Sequence, residues 1–176
     1  MSNSMKMNPS HDSKRKNHEI DPVYDENSRI LILGSFPSVK SRESGFFYGY
    51  PQNRFWKVLA GICQCETPKT IDEKKEFLLS HQIAVWDVIA SCTIQGSSDS
   101  SIRDVVPNNL SRILETADIK KICTNGGTAF KLYHKYIEDD TKIKAVKLPS
   151  TSPANASWSL ERLINYWGKS FFGPTI

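Results

Sequence analysis

Ile30-Leu31-Ile32-Leu33-Gly34 is a continuous apolar run closed by glycine and followed at once by Ser35-Phe36-Pro37-Ser38. Unbroken aliphatic residues over so short a stretch describe a strand buried on both faces, the usual condition in parallel sheets. Three further runs have similar texture: Ile83-Ala84-Val85-Trp86-Asp87-Val88, Ile119-Lys120-Lys121-Ile122-Cys123-Thr124 and Lys142-Ile143-Lys144-Ala145-Val146-Lys147-Leu148. The last two alternate more and are expected nearer the sheet edge. Helical segments fall between the strands. Thr70-Ile71-Asp72-Glu73 reads as a capping box opening a helix to about Ser80. Leu110, Ile113 and Leu114 repeat at helical spacing, as do Ala129, Leu132, Tyr133 and Tyr136 after Gly126-Gly127. From Ser157 on, Leu160, Leu163, Ile164 and Trp167 share one face.

Strands that alternate with helices predict the α/β class. The expected architecture is a three-layer αβα sandwich around a central, mainly parallel four-stranded sheet, because each parallel neighbour requires a crossover and a helix is its usual form. Residues 1–26, rich in Ser, Asn, Lys and His and poor in periodic apolar residues, read as a flexible tail. Residues 27–176 then form a single domain. No internal repeat is present.

The 176 residues suffice for one compact domain, and 39% hydrophobic, 24% charged and 10% aromatic content lies outside disordered, collagen-like and membrane-bundle compositions. No apolar run approaches the ~20 residues of a membrane-spanning helix, so a soluble protein without membrane partners is expected. The first residues lack the pattern of a secretory signal, which leads us to expect a cytoplasmic protein whose four cysteines are reduced. Cys63 and Cys65 form C-x-C rather than paired C-x-x-C, so no metal is expected, and no cofactor motif stands in the chain. Residues 1–28 hold four basic and five acidic side chains, which leaves 19 against 14 on the rest. That net of +5 permits a phosphate-bearing partner without demanding one.

Ligand sites of parallel sheets gather at the C-terminal strand ends. After the first strand, Gly34 and Ser35 let a ligand approach the backbone. Next comes Phe46-Phe47-Tyr48-Gly49-Tyr50-Pro51-Gln52-Asn53-Arg54-Phe55-Trp56. Phe55 and Trp56 open a helix and are expected in the core. Phe46, Phe47, Tyr48 and Tyr50 follow no regular period and suit a pocket wall or stacking platform. The phosphate-cradling glycine motifs of nucleotide hydrolases and dinucleotide enzymes are absent. After the last strand, Leu148-Pro149-Ser150-Thr151-Ser152-Pro153-Ala154-Asn155-Ala156 leads into the final helix with hydroxyls and amides suited to an anion and two prolines that stiffen the loop. Lys40, Arg42 and Arg54 read as solvated surface charges.

These two segments, in this order and at the ends of the first and last strands, resemble the uracil-DNA glycosylase superfamily, most closely its hypoxanthine (deoxyinosine) branch. The resemblance covers roughly Ile30 to Trp167. In the mismatch-specific uracil enzymes the first loop reads G-I-N-P and a P-x-N-R-F-W run follows. Here Phe36 replaces the catalytic asparagine of that loop, and the resemblance implies that Asn53 takes over catalysis. It likewise implies that Tyr48 stacks on the base and that Gly34, Ser35 and Phe36 line its pocket. Asp87, where classical members carry a base-reading asparagine, accepts hydrogen bonds only, and so can accept from N1–H of hypoxanthine, a donor that adenine lacks. The alternative is that Asp87 caps a turn or pairs with a lysine. Ser150 and Ser152 would hold DNA phosphates, with Pro153, Ala154 and Asn155 as a wedge into the duplex, and Leu148 stands where a polar leaving-group helper is usual. The implied activity is monofunctional hydrolysis of deaminated bases from double-stranded DNA by base flipping, without cofactor, by a monomer. A uracil or thymine mismatch glycosylase and a DNA-binding module without catalysis are the alternatives.

Overall fold

The computed structural model describes residues 14–173. In chain order the elements are β1 (Arg15–Asn17), β2 (Ile30–Gly34), α1 (Val39–Ser44), α2 (Phe55–Cys63), α3 (Ile71–Ser80), β3 (Ile83–Asp87), β4 (Ile89–Thr93) and β5 (Arg103–Pro107). They continue with α4 (Ser111–Leu114), β6 (Lys121–Asn125), α5 (Gly127–Tyr136), α6 (Glu138–Thr141), β7 (Ala145–Leu148) and α7 (Leu160–Phe172). The four runs read from the sequence form one fully parallel sheet in the order β3-β2-β6-β7, with helices around it. This is the α/β architecture expected. Thr70 caps α3 through the reciprocal bonds of a capping box with Glu73.

Two strand placements differ from expectation, and the reason is physical. Ile119–Thr124 was expected near an edge, yet β6 lies between β2 and β7. Its polar positions are handled locally: Lys121 Nζ donates to the carbonyl of Ser170, and Thr124 is buried. Conversely β3, whose five residues are all buried, is one of the two edge strands of this sheet. Its open side is covered by Val23, which exchanges two 3.0 Å backbone hydrogen bonds with Val85.

That cover comes from the segment expected to be a flexible tail, and the expectation fails from Lys14 onward. Residues 15–17 form β1, which pairs antiparallel with β4, and β4 pairs with β5 in a small second sheet, β1-β4-β5, that the sequence reading missed. Register shifts between Ile89 and Ser91 and between Ser91 and Thr93 break the alternation that would have marked it. Ile20 and Val23 are buried, and Trp86 Nε1–H donates to the carbonyl of Ile20 at 3.3 Å. Two apolar side chains thus suffice to tie down a segment whose composition is otherwise polar. Residues 1–13 lie outside the described residues.

The core runs through the parallel sheet and its covering helices. Helix α2 packs against α7, where a Cβ on Gly61 would collide with Ile164, and Phe55 meets Trp167 edge-on at a ring separation of 6.1 Å. Phe55 and Trp56 are core residues as expected, and so is Phe46, which was read as pocket wall but stacks on Trp56. On α7, Leu163 and Trp167 are fully buried, whereas Leu160 in its first turn stays exposed. Among the described residues no helix is long and apolar enough to cross a membrane.

Candidate functional site

The C-terminal ends of the parallel strands open into one cavity of about 370 Å³. Gly34, Ser35 and Phe36 from the end of β2, Tyr48 and Asn53 from the loop before α2, Asp87 from the end of β3, and Ser150, Ser152 and Pro153 after β7 all line it. Gly34 and Pro153, the extremes of these nine residues, are 119 positions apart, and the sheet topology alone brings them together. Ala154 and Asn155 do not reach this cavity. They border a neighbouring groove of about 750 Å³ that Asp99, Gly126, Lys147 and Tyr166 also line.

Gly34 is required at its position by close approach: a Cβ there would overlap Asp87 Oδ1 and sit 3.0 Å from Tyr48 Oη. Asp87 is buried, and its carboxylate pairs neither with a lysine nor with a turn, the alternatives weighed from sequence. His18 Nε2 lies 2.7 Å from Asp87 Oδ2. Asn108 Nδ2–H donates to the backbone carbonyl of Asp87 at 2.9 Å and holds the strand end from the other side.

Asn53 sits in a chain of bonds that joins the first loop to the last. Its Oδ1 accepts from the backbone N–H of Phe55 at 3.0 Å and from Thr151 Oγ1–H at 2.8 Å. Thr151, fully buried, accepts in turn from Asn125 Nδ2–H at 3.0 Å, and its own backbone N–H donates to Asn125 Oδ1 at 3.0 Å. The backbone donor on Oδ1 settles the orientation of the Asn53 amide. Its carbonyl oxygen is committed to the protein, and the NH₂ group is the part left for a guest.

Arg54 was read as a solvated charge and is instead a clamp. It is half-buried, and its guanidinium donates to the carbonyls of Thr151, Ser152, Asn155 and Trp158. A planar fork with five donors can hold several carbonyls of one loop at once. Within that loop Ser150 Oγ accepts from Ser152 N–H at 3.1 Å and Ser152 Oγ from Ala154 N–H at 3.2 Å, so both hydroxyl hydrogens stay available. Pro153 and Ala154 form the exposed tip. Asn155, expected in the wedge, turns inward and donates through Nδ2 to the carbonyl of Ser150 at 3.0 Å, because the loop needs that bond to close.

The aromatic wall is built on Tyr48, which holds a left-handed backbone (φ 51°), a conformation that an L side chain adopts at a cost and that clusters at functional sites. Phe55 stacks on one face of its ring at 3.8 Å. The Tyr48 hydroxyl is buried without a hydrogen-bond partner among the described residues. Burial, and then the negative charge of Asp87, pushes it above the ordinary tyrosine range, so it stays a neutral phenol. At the mouth of the cavity Asp99 accepts from Ser35 Oγ–H at 3.0 Å. The residue is exposed overall, yet desolvation of its carboxyl against the cavity wall raises it above the usual range, against the lowering effect of the Ser35 bond.

His18, Asp99, Asn125 and Thr151 are site residues the sequence reading missed. His18 and Asp99 carry no local motif and reach the site from 69 and 64 residues away from their partners. Asn125 and Thr151 were signalled weakly, by standing at the ends of the third and fourth strands. Among the described residues no group of three or more His, Cys, Asp or Glu is placed to hold a metal ion. The cavity offers apolar walls, an acceptor carboxylate at depth, an amide donor and a rim of hydroxyls, which suits a flat heterocycle with polar edges.

Comparison with known proteins agrees with this geometry. The family model described as the uracil DNA glycosylase superfamily matches residues 22–169. A protein of Methanosarcina acetivorans named hypoxanthine DNA glycosylase is 36% identical over 144 residues, covering 80% of this chain and 89% of its own length. One of the same name from Methanosarcina barkeri is 32% identical over 161 residues, covering 89% and 98%. A solution structure of a candidate uracil DNA glycosylase from M. acetivorans superposes with a TM-score of 0.76 at 32% identity, covering 90% of this chain and 97% of that one.

Proposed function

The chain belongs to the uracil DNA glycosylase superfamily, and from that premise we propose that it hydrolyses the N-glycosidic bond of deaminated bases in double-stranded DNA, hypoxanthine foremost. The observation that carries this reading is the single cavity shared by Tyr48, Asn53, Asp87 and Ser150, whose volume of about 370 Å³ falls within the range of roughly 300–1,000 Å³ usual for small-ligand sites. The names of the two Methanosarcina relatives favour hypoxanthine as the base.

A base inside a duplex cannot reach such a cavity, so the nucleotide must turn out of the stack at a cost of about a few kcal/mol, least where pairing is already weak. A deaminated base therefore selects itself in part. Ser150 and Ser152 donate to backbone phosphates while Pro153 and Ala154 press into the duplex. The Tyr48 ring, backed by Phe55, forms the wall against which the base lies. Asp87, an acceptor, takes the N1–H of hypoxanthine.

Cleavage of a glycosidic bond builds positive charge on the sugar, so the attacking water needs position more than strength. With its oxygen held by Phe55 and Thr151, Asn53 offers Nδ2–H to the water oxygen and leaves the second lone pair for C1′. It removes no proton: the electron pair of the glycosidic bond leaves on the base nitrogen, and the proton that the water sheds on bonding to C1′ goes to the departing base. No lysine nucleophile is invoked, so the product is an abasic site with an unbroken strand.

The test is Asn53→Ala assayed on duplexes that carry hypoxanthine or uracil. We expect wild-type protein to release hypoxanthine, and the variant to lose about 100-fold or more in single-turnover rate, the loss typical of removing one positioned donor, while still binding DNA. Unchanged turnover would clear Asn53 of its role. Uracil release with no action on hypoxanthine would move the substrate to uracil, and salt-sensitive binding without release of either base would leave a binding module.

A further inference from the structure

Among the described residues His18 is the one histidine with a buried side chain, 2% exposed, lying behind the cavity wall against Asp87, and it arrives there from the N-terminal segment rather than from any strand end. Phe36, Phe47 and Trp86 surround its ring at centroid distances of 6.0–6.2 Å, and the first two also form part of the cavity wall. Its two nitrogens have distinct tasks. The backbone N–H of Ile20 points at Nδ1 from 3.3 Å, so Nδ1 accepts. The proton therefore resides on Nε2 and is donated to Asp87 Oδ2 at 2.7 Å. A donor on Oδ2 requires that oxygen to act as an acceptor. The other oxygen, Oδ1, has no hydrogen bond to the protein among the described residues and lies against Gly34 on the cavity wall.

We propose that His18 is a positioning residue for base selection: it holds Asp87 as an acceptor with Oδ1 turned to the guest, so the site takes bases that present a ring N–H and refuses those that present a ring-nitrogen lone pair. The inference rests on the hydrolytic reading above and deepens it. Without the Nε2–H donor Oδ2 loses its one side-chain partner among the described residues, and nothing then fixes the rotation of the carboxylate or keeps Oδ1 turned to the guest. Losing His18 would thus misplace the acceptor that reads the base without altering Asp87 itself. The chemical class selected is the cyclic lactam, in which deamination has converted a ring nitrogen acceptor into N–H.

The experiment compares single-turnover release of hypoxanthine with release of purine from deoxynebularine, which has neither N1–H nor the adjoining carbonyl, in otherwise identical duplexes. Three variants of the full chain are used. In His18→Asn the side-chain oxygen can still take the Ile20 N–H, but no donor reaches Asp87 Oδ2. His18→Gln restores a donor at the reach of Nε2. His18→Leu removes both bonds and serves in place of the asparagine variant should that one fold poorly. We expect the hypoxanthine-to-purine preference to fall about tenfold or more in His18→Asn, because a site built to bond a substrate N–H discriminates through that bond. His18→Gln should return it to within about threefold, with affinity for undamaged duplex unchanged throughout. If both rates fall together and the preference holds, His18 is only a packing residue and the proposal is overturned. A wild-type protein that releases no hypoxanthine would instead overturn the reading on which the proposal rests, and the proposal with it.

Discussion

Asp99 stands at the mouth of the cavity with Ser35 Oγ–H on one carboxyl oxygen; although the residue as a whole is exposed, desolvation of the carboxyl where it meets the cavity wall, together with the charge of Asp87, favours its neutral form. The sign of the consequence follows from linkage. A carboxyl whose pKa is higher in the folded protein than in the unfolded chain binds its proton more tightly when folded, so its contribution to stability is present in acid and is lost as pH rises through the folded value. Asp99→Asn, permanently neutral and still able to accept from Ser35, should melt at a higher temperature than wild type at neutral pH. The gap should close near about pH 4, around the ordinary carboxylate range. Thermal melts at the two pH values check this. A variant less stable at both would mean that Asp99 contributes as an ion. Nothing near Asp99 in the sequence marks it, since its serine-rich surroundings read as an ordinary loop. Asp87 differs: it closed a recognised strand, so its place in the site was legible, and only its partner was hidden.

Between residue and whole lies the loop from Ser150 to Trp158, which Arg54 holds by its carbonyls rather than by side-chain contacts. Arg54→Lys keeps the charge and loses the fork, and one ammonium cannot serve four carbonyls spread along a loop. We expect amide exchange in 150–158 to accelerate, single-turnover release to fall, and global stability to drop by about 1–3 kcal/mol, the cost of leaving half-buried acceptors unmade. An unchanged exchange pattern would show the loop to be held by Thr151 and Asn155 alone. At this scale the sequence was informative about what local pattern governs. Periodicity placed the strands of the parallel sheet, the capping box placed α3, and Leu163 with Trp167 placed the buried face of α7. It misjudged what depends on neighbours. Val23 makes β3 look interior, and the Lys121 bond to Ser170 lets a mixed pattern sit in the middle of the sheet. The clamp itself left no trace in sequence, because an arginine whose acceptors lie 97–104 residues away looks like any surface arginine.

For the molecule as a whole, the deciding feature is that the segment before the parallel sheet belongs to the fold and to the site together. Composition hid this, since Ile20, Val23 and His18 are scattered among charged and polar residues, and only the distant strands β3 and β4 reveal what they bind. The segment contributes the small sheet through β1, covers the open edge of β3 through Val23, and brings His18 beneath the cavity. Burying one large aliphatic side chain is worth about 1.5–3 kcal/mol. Removing Ile20 and Val23 with the edge bonds to Val85 should therefore cost about 3 kcal/mol or more, a large share of the roughly 5–15 kcal/mol that holds an ordinary domain together. A chain truncated to begin at Asp25 is thus expected to have a much lower urea midpoint than the full protein, with the shortfall greater than that of Val23→Ala alone. It should also tend to associate, because an uncovered strand edge invites pairing with another chain. A flexible tail makes the opposite forecast, an unchanged midpoint and no association. Urea unfolding and sedimentation of the full chain, the single variant and the truncated chain decide between the two, and equal midpoints for all three would return the segment to the status of a tail.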